Sequence, residues 1–296
     1  MRDVLAARGV PLLGAYVVPQ AGDRDSAAGA AAAVRAAGAD LVVTATSGPE
    51  RPRYTSTNQS IDLAAACQNR AGTPALATVT TWSRTVMALQ AHLLGGHARG
   101  VTRLICGNGS PPPVGDRSKT DGRWAVDAVG LIELLRGLNE GTDRYGLRLE
   151  SATNFDIGVR IRAAPVLSAA ARTRTRRKIA AGAHFIVTSP VYTQHALDML
   201  LEVIDGDVPV LATVHPLRSL AEAELLRHEL PEGCVPAGLI ERLERAGDGA
   251  AEEGERIAVE LAAQFANRTQ GIILSRADGP ELVSRVRAAL VRPVVG

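Results

Sequence analysis

The feature that most constrains the fold is a repeated alternation of short apolar segments with alanine-rich segments of helical length. The runs LLGAYVV (12–18), DLVVTAT (40–46) and ALATVT (75–80) are apolar across both faces of a strand. Strands of this kind belong to a parallel sheet that helices cover. The predicted strands cover residues 12–18, 40–46, 75–80, 102–106, 155–161, 184–188, 209–214 and 271–275, and the predicted helices cover residues 29–39, 61–70, 83–97, 126–139, a basic segment ending near 181, 196–204, 221–228, 254–266 and 281–290.

About eight such strand–helix units predict a (β/α)₈ TIM barrel as a single domain over residues 1–296. A doubly wound open sheet is the alternative α/β fold. No G-x-G-x-x-G motif follows the first predicted strand, which favours the barrel. Four glycines that precede strands are predicted to end helices in the left-handed conformation. They are Gly38, Gly100, Gly182 and Gly271.

Composition excludes several classes of function. The chain is 46% hydrophobic with a formal net charge of +2, which is typical of a soluble globular protein. Aromatic residues make up only 3%, so surfaces on which nucleic-acid bases stack are scarce and no nucleic-acid partner is expected. No apolar run reaches the roughly 18 residues of a membrane span.

The cysteines and the N-terminal segment favour a cytoplasmic protein. Cys67, Cys106 and Cys234 are far apart and have neither zinc-ligand spacing nor a disulfide pattern, so a reducing compartment is expected and no metal site is predicted. The first twenty residues lack the apolar core and cleavage site of a signal peptide.

Polar residues follow the sixth predicted strand, in the stretch RKIAAGAHFIVTSPVY (177–192). Ligands of parallel α/β proteins bind beyond the carboxyl ends of the strands. Thr188, Ser189 and Tyr192 are therefore predicted to lie at a ligand site.

Several stretches, in collinear order, together resemble the methylenetetrahydrofolate reductases, and most of all the type fused to homocysteine methyltransferase domains. The stretches are LLGGHARGVTRLICGNG (93–109), DAVGLIELLRGLNEG (127–141), TNFDIGV (153–159), RRKIAAGAHFIVTSPVY (176–192), PVLATVHPLRS (209–219) and RHELPEGCVP (227–236). This flavin-dependent barrel family reduces the methylene group of methylenetetrahydrofolate to a methyl group, with hydride from FAD that NAD(P)H has reduced. The resemblance implies a folate substrate, FAD and NAD(P)H as cofactors, a place in methionine biosynthesis and a homo-oligomer.

The resemblance also implies the catalytic positions, and this chain departs from the family at each of them. Tyr16 stands where the family has a glutamate that protonates the folate nitrogen. Asn108 replaces an aspartate near flavin and folate, and Ser189 replaces a glutamine that contacts substrate. Thr78 aligns with a histidine that touches the flavin. Since these differences fall together, they indicate a changed or lost reaction.

Much of the cofactor side of the family pattern is retained. Gly107, Arg177 and Lys178 match positions that meet FAD, the last two through its phosphates, and Arg174 extends the cationic cluster. A solvated basic helix face is the structural alternative. Cys106, which precedes Gly107, is interpreted as a buried thiol, and a nucleophile is the alternative interpretation.

Arg160 and Arg162 lie where the family has small or apolar residues beside the flavin. An inward-facing Arg160 would crowd the isoalloxazine or provide an anion contact; the alternative is that it points outward. Arg218 keeps a Leu-Arg-Ser of the family and joins Thr188 and Tyr192 as a predicted substrate contact. His215 is either a general base or a surface residue.

Two classes of function remain open from sequence. The first is an enzyme of one-carbon metabolism that performs methylenetetrahydrofolate reduction or a diverged relative of it. The second is a non-redox family member that binds folate or a partner reductase. A flavin-free reductase that uses NAD(P)H directly is a further variant of the first.

Overall fold

The computed structural model describes residues 10–17, 24–45, 58–82, 84–109, 125–204, 206, 208–229, 235–276 and 279–291. Within them the strands pair in parallel, each with the next along the chain, and β8 pairs with β1 to close a barrel. The predicted (β/α)₈ barrel is thereby confirmed. The strands are β1 (Leu12–Val17), β2 (Leu41–Thr44), β3 (Ala75–Thr80), β4 (Arg103–Gly107), β5 (Asp156–Ile161), β6 (Phe185–Pro190), β7 (Val210–Val214) and β8 (Gly271–Leu274).

Helices lie between successive strands and after β8, and α7, α8 and α9 all fall between β7 and β8. Their bounds are α1 (Arg24–Ala36), α2 (Asn58–Ala71), α3 (Val86–Ala98), α4 (Ala128–Asn139), α5 (Ala169–Ala180), α6 (Gln194–Ile204), α7 (Leu220–Glu229), α8 (Ala237–Ala246), α9 (Ala250–Ala266) and α10 (Pro280–Val291). None of the helices in these described ranges is long and apolar enough to cross a membrane.

The predicted strands differ from the observed ones by at most two residues at either end. The sixth strand continues to Pro190, past a register irregularity between Val187 and Pro190 where it pairs with β7. Helix α8 was not predicted. Its sequence AGLIERLERA buries mainly Ile240 and Leu243, so the apolar pattern is too short to stand out among its charged residues.

The core is divided into two parts by the sheet. The larger cluster lies between the strands and the surrounding helices. The smaller fills the inside of the barrel, here called the lumen, with Leu12, Tyr16, Leu41, Val43, Ala45, Leu76, Ile105, Phe185, Val187, Leu211 and Ile273. Since side chains alternate along a strand, Thr78 and Thr80 face the lumen like Leu76, and Arg160 does so beside its register partner Val187.

Gly158 in β5 is required by the packing of the lumen. A Cβ added there would lie 2.3 Å from Cζ of Phe185 and 2.8 Å from the carbonyl oxygen of Leu104. The Phe185 ring therefore occupies the space that a side chain at position 158 would need.

The prediction for the four helix-ending glycines is confirmed at three of them and wrong at the fourth. Gly38, Gly100 and Gly182 have φ values of 107°, 81° and 116°. Gly271 is instead the first residue of β8. Its added Cβ would lie 2.7 Å from the carbonyl oxygen of Leu12, so a close approach of strands, and not a left-handed turn, explains this glycine.

Replacing Gly158 by alanine tests the packing of the lumen. We expect Gly158→Ala to lower the free energy of unfolding by about 1–3 kcal/mol, because Phe185 must move. Gly29→Ala is the matched control: no described residue lies within 4 Å of its added Cβ, and it sits inside helix α1. That control should leave stability unchanged or raise it by about 0.5–1 kcal/mol. Urea unfolding measures both, and an unaltered Gly158→Ala protein would contradict the described packing.

Candidate functional site at the barrel mouth

The carboxyl ends of the strands meet at one opening of the barrel, here called the mouth, where TIM barrels bind their ligands. The structure brings together at this end Tyr16 of β1, Thr78 of β3, Gly107 of β4, Arg160 of β5 and Ser189 of β6. These residues come from strands spread along much of the chain, and only closure of the barrel makes them neighbours.

Arg160 extends across the lumen and contacts Tyr16. β1 and β5 are four strands apart in either direction around the barrel, so they face each other. Nη2 of Arg160 donates a hydrogen bond to the hydroxyl oxygen of Tyr16. The guanidinium carbon lies 5.7 Å from the centre of the Tyr16 ring, which is a cation–π distance. Arg160 thus points inward, whereas Arg162 lies beyond the end of β5 and is exposed.

Three polar atoms around this contact are buried without a hydrogen-bond partner in the described part of the chain. They are the hydroxyl oxygens of Thr78 and Thr80 and Nε of Arg160. The backbone of Thr78 is satisfied, since its N–H donates to Oγ of Ser60 at 2.9 Å. The side-chain hydroxyl of Thr78 is therefore the group at this position that a ligand in the mouth could bind.

Lys178, on helix α5, is directed at the strand and not at solvent. Its Nζ donates a hydrogen bond of 3.1 Å to the carbonyl oxygen of Arg160. Burial lowers the pKa of this ammonium group, and the neighbouring Arg174 adds to that effect. Lys178 therefore fixes the backbone from which Arg160 projects.

Cys106 is a buried thiol. It is 0% exposed and belongs to the cluster outside the barrel, and burial raises its pKa to about 12. A thiol that stays protonated at neutral pH is a poor nucleophile, so the structure favours the first of the two interpretations made from sequence. Cys234 lies outside the described residues.

The residues that the resemblance assigns to FAD lie on β3, β4, β5 and α5, and they do not fit the flavin ring. Arg174 and Arg177 are exposed on α5, suitably for phosphate, and Gly107 and Thr78 line the mouth. Arg160, however, occupies the place beside β5 where the resemblance puts the flavin, because its side chain runs across the lumen to Tyr16. We therefore derive no reaction step through FAD.

Asn108 is bound to the start of helix α4. Its Oδ1 accepts a hydrogen bond of 2.6 Å from the backbone N–H of Ala128, and its carbonyl oxygen accepts one of 3.3 Å from Oγ1 of Thr81. The side chain of Asp127 caps the same helix end by accepting from Gly130 N–H at 2.9 Å. The carboxamide of Asn108 thus connects the end of β4 to the start of α4.

The structure places the predicted ligand residues of β6 and the segment after it, Thr188, Ser189 and Tyr192, in different environments. Thr188 is 1% exposed, and its hydroxyl accepts a hydrogen bond of 2.8 Å from Thr213 N–H within the β6–β7 irregularity. Tyr192 is 3% exposed and packs in the cluster outside the barrel. Ser189 is half-buried at the end of β6, so it remains the member of this group nearest to the mouth.

His215 follows β7 and is completely covered, so its interpretation as a surface residue was wrong. It is 1% exposed, with Nδ1 2.7 Å from Oγ of Ser275 and Nε2 3.5 Å from Oε1 of Glu222. Glu222 also accepts from Nη1 of Arg276 at 2.8 Å and from the backbone N–H of Arg218 at 2.7 Å. The side chain of Arg218 itself is exposed.

Sequence reasoning missed Ser275, Glu222 and Arg276 as members of this polar group. The one available signal was that polar His215 follows the predicted seventh strand and polar Ser275 ends the predicted eighth, since nothing in the spacing of residues 215, 222 and 275 links them. Burial alone would raise the pKa of Glu222, but the nearby His215 and the backbone hydrogen bond from Arg218 outweigh it, and the pKa lies below its ordinary value.

Replacing Glu222 tests this group through the pH dependence of stability. Because the folded-state pKa is lowered, the ionised carboxylate stabilises the fold above the ordinary value of 4.5, and this contribution is lost as the pH falls through the lowered pKa. Glu222→Gln should cost about 1–3 kcal/mol at neutral pH, with the difference from the parent protein shrinking in acid. Glu224→Gln, on the exposed side of the same helix, is the control. Urea unfolding over a range of pH would refute this assignment if both variants behaved alike.

Solved structures with the same architecture support the barrel fold. Tryptophan synthase from M. tuberculosis has a TM-score of 0.52 and 16% identity, with 97% of this chain and 96% of that chain covered. A 2,3-dimethylmalate lyase of the PEP mutase/isocitrate lyase superfamily also has a TM-score of 0.52 and 16% identity, with 97% and 93% covered. At this identity the likeness extends to the fold alone.

Sequence comparison gives the family. No curated protein is significantly similar to this chain. Residues 15–272 match the family model described as methylenetetrahydrofolate reductase, which covers all eight strands except the start of β1 and the end of β8. The chain therefore belongs to the methylenetetrahydrofolate reductase family.

Proposed function

We propose that this protein is a reductase of folate one-carbon metabolism that converts methylenetetrahydrofolate, or a close relative of it, into the methyl form. The observation on which the proposal rests is the contact of Arg160 with Tyr16 at the mouth of a barrel of this family. It joins a proton-bearing group and a fixed positive charge at the expected site of reaction.

The reaction needs a hydride donor and an acid. A hydride adds to the methylene carbon, the bond from that carbon to one folate nitrogen breaks, and this nitrogen takes up a proton. The overall change consumes one NAD(P)H and one proton and yields NAD(P)⁺ and the methyl product. A side chain near the breaking bond must therefore supply the proton.

Tyr16 is suited to supply that proton. Its oxygen accepts a hydrogen bond from Arg160, so its own hydroxyl hydrogen is available to a second acceptor. After proton transfer, the phenolate would face the guanidinium in a charge-assisted hydrogen bond. The inner cluster, to which Tyr16 belongs, is apolar, and a surrounding of low dielectric constant strengthens this electrostatic stabilisation.

We propose that NAD(P)H gives its hydride to the folate directly. The Arg160–Tyr16 contact takes the space that a flavin ring would need, which supports a mechanism without FAD. Arg174 and Arg177, exposed on α5, are suited to bind the phosphates of the dinucleotide, because guanidinium groups match phosphate geometry.

The non-redox alternative is favoured by Asn108. Its amide oxygen is bound to the N-terminus of α4, so it supports a loop and need not contact a substrate. A protein that binds folate without transferring hydride would keep this arrangement. It would also show no NAD(P)H oxidation with any folate.

The role of Tyr16 is tested by removing its hydroxyl. We expect Tyr16→Phe to lower the rate of folate-dependent NAD(P)H oxidation by roughly 10²–10³, as for the loss of one polar transition-state contact. Tyr145→Phe, at a side chain 71% exposed, should leave the rate unchanged. Equal rates for the Tyr16→Phe and parent proteins would remove Tyr16 from the mechanism.

The absence of flavin chemistry is tested by visible absorbance. The purified protein should be colourless and should take up no added FAD, since Arg160 fills the ring site. Arg160→Ala opens this space and is the informative comparison. Stoichiometric FAD in the parent protein would show that the side chain moves aside and that the direct mechanism is wrong.

A further inference from the structure

The positive charge of Arg160 has no carboxylate partner in the described part of the chain. Nη2 of Arg160 is bonded to the neutral hydroxyl of Tyr16, and no described Asp or Glu forms an ion pair with it. The ammonium group of Lys178, on the carbonyl oxygen of Arg160, adds a second positive charge nearby. A half-buried charge of this kind normally has a counter-ion, because its desolvation is otherwise uncompensated.

Unpartnered hydrogen-bond donors lie in the same layer of the lumen. The register pairs Thr80 of β3 with Gly107 of β4, and Cys106 of β4 with Val159 of β5. The residues that follow Cys106 and Val159 are Gly107 and Arg160, so Gly107 stands between Thr80 and Arg160. The hydroxyls of Thr80 and Thr78, one pleat below, and Nε of Arg160 are all buried without a partner. Groups as deeply buried as these are satisfied in most proteins, by protein, water or ligand.

Gly107 leaves space between these donors as far as the described residues go. Among those residues, a Cβ added to Gly107 would meet only Cγ2 of Thr80, at an ordinary contact distance of 3.8 Å. The strand between the threonines and Arg160 therefore contributes no side chain to fill the gap. The result is a recess one residue wide, bounded by donors on two sides.

We propose that this recess binds a carboxylate group, held by the guanidinium of Arg160 and the hydroxyls of Thr78 and Thr80. Both sides of the recess present donors, and the charge is positive, so the ligand group must be an anion that accepts several hydrogen bonds. A planar carboxylate matches the guanidinium fork and fits the width left by Gly107. The proposal deepens the proposed function by naming a chemical group of the ligand, and its test measures binding and not turnover.

The test uses acetate as the probe, at constant ionic strength with chloride as the balancing anion. Ligand-observed NMR should give saturable binding to the parent protein. Arg160→Gln should weaken the affinity at least about tenfold, and Thr78→Val should weaken it about three- to tenfold, since each loses a hydrogen bond to the anion. Arg162→Gln and Thr173→Val, both exposed in the same part of the chain, should bind acetate like the parent.

Two results would overturn the proposal. The first is acetate binding no tighter than chloride, which would mean that the recess does not select a carboxylate. The second is equal affinity in the parent, Arg160→Gln and Thr78→Val. Should Arg160→Gln fail to fold, Thr78→Val and Thr80→Val decide the question, because valine keeps the shape of threonine.

A competition experiment identifies the source of the carboxylate. If methyltetrahydrofolate excludes acetate, the folate itself supplies the group; if the two bind together, the recess takes a small free carboxylate. Either result supports the site. If the parent protein binds acetate but does not oxidise NAD(P)H with a folate, only the proposed reaction is refuted. If it oxidises NAD(P)H with a folate but does not bind acetate, only the carboxylate site is refuted.

Discussion

The hydrogen bond between Arg160 and Tyr16 determines what the mouth of this barrel can bind. It joins strands that face each other across the lumen, above the apolar inner cluster. We propose that this contact keeps a flavin ring from lying against β5. The same contact places a phenol hydroxyl beside a guanidinium group at the mouth. In the mechanism that we propose, ligand choice and proton transfer both depend on this pair of side chains.

The position of Arg160 is supported from the helix layer. Lys178 binds the carbonyl oxygen of Arg160 from outside the sheet, and Gly107 removes the side chain that would otherwise compete for space beside it. One pleat below Arg160 on β5, the ring of Phe185 fills the space at Gly158, so the layer beneath Arg160 is packed. Because packed cores resist deformation, this layer limits how far the side chain can withdraw into the barrel.

Sequence was sufficient for the fold because each strand is apolar on both faces and each is followed by a helix. The candidate site residues at the strand ends could also be predicted from sequence, because the resemblance and the barrel topology both point to Tyr16, Arg160 and Ser189. The contact between Tyr16 and Arg160 could not be predicted from sequence. It joins residues 144 positions apart, and it depends on how two side chains share one lumen. Sequence alone left open whether Arg160 points inward or outward.

Burial explains the remaining differences between sequence and structure. His215 follows a strand in a polar stretch typical of a surface loop, yet helix α7 and the end of β8 enclose it beside Ser275 and Glu222. Thr188 and Tyr192 have the polar groups expected of ligand contacts, but alternation after the lumen-facing Val187 directs Thr188 away from the lumen, and Tyr192, beyond the irregularity, packs in the outer cluster. Side-chain direction after a strand irregularity is set by tertiary packing, which residue type does not encode.

Isotope transfer tests the central claim most directly. The protein would be incubated with methylenetetrahydrofolate and NAD(P)H deuterated at the transferred position of the nicotinamide, and the methyl product analysed by mass spectrometry. Direct transfer predicts that the deuterium is retained in the methyl group. Hydrogen from solvent in the methyl group, as expected when a hydride passes through an exchangeable flavin position, or the absence of a methyl product, would contradict the account.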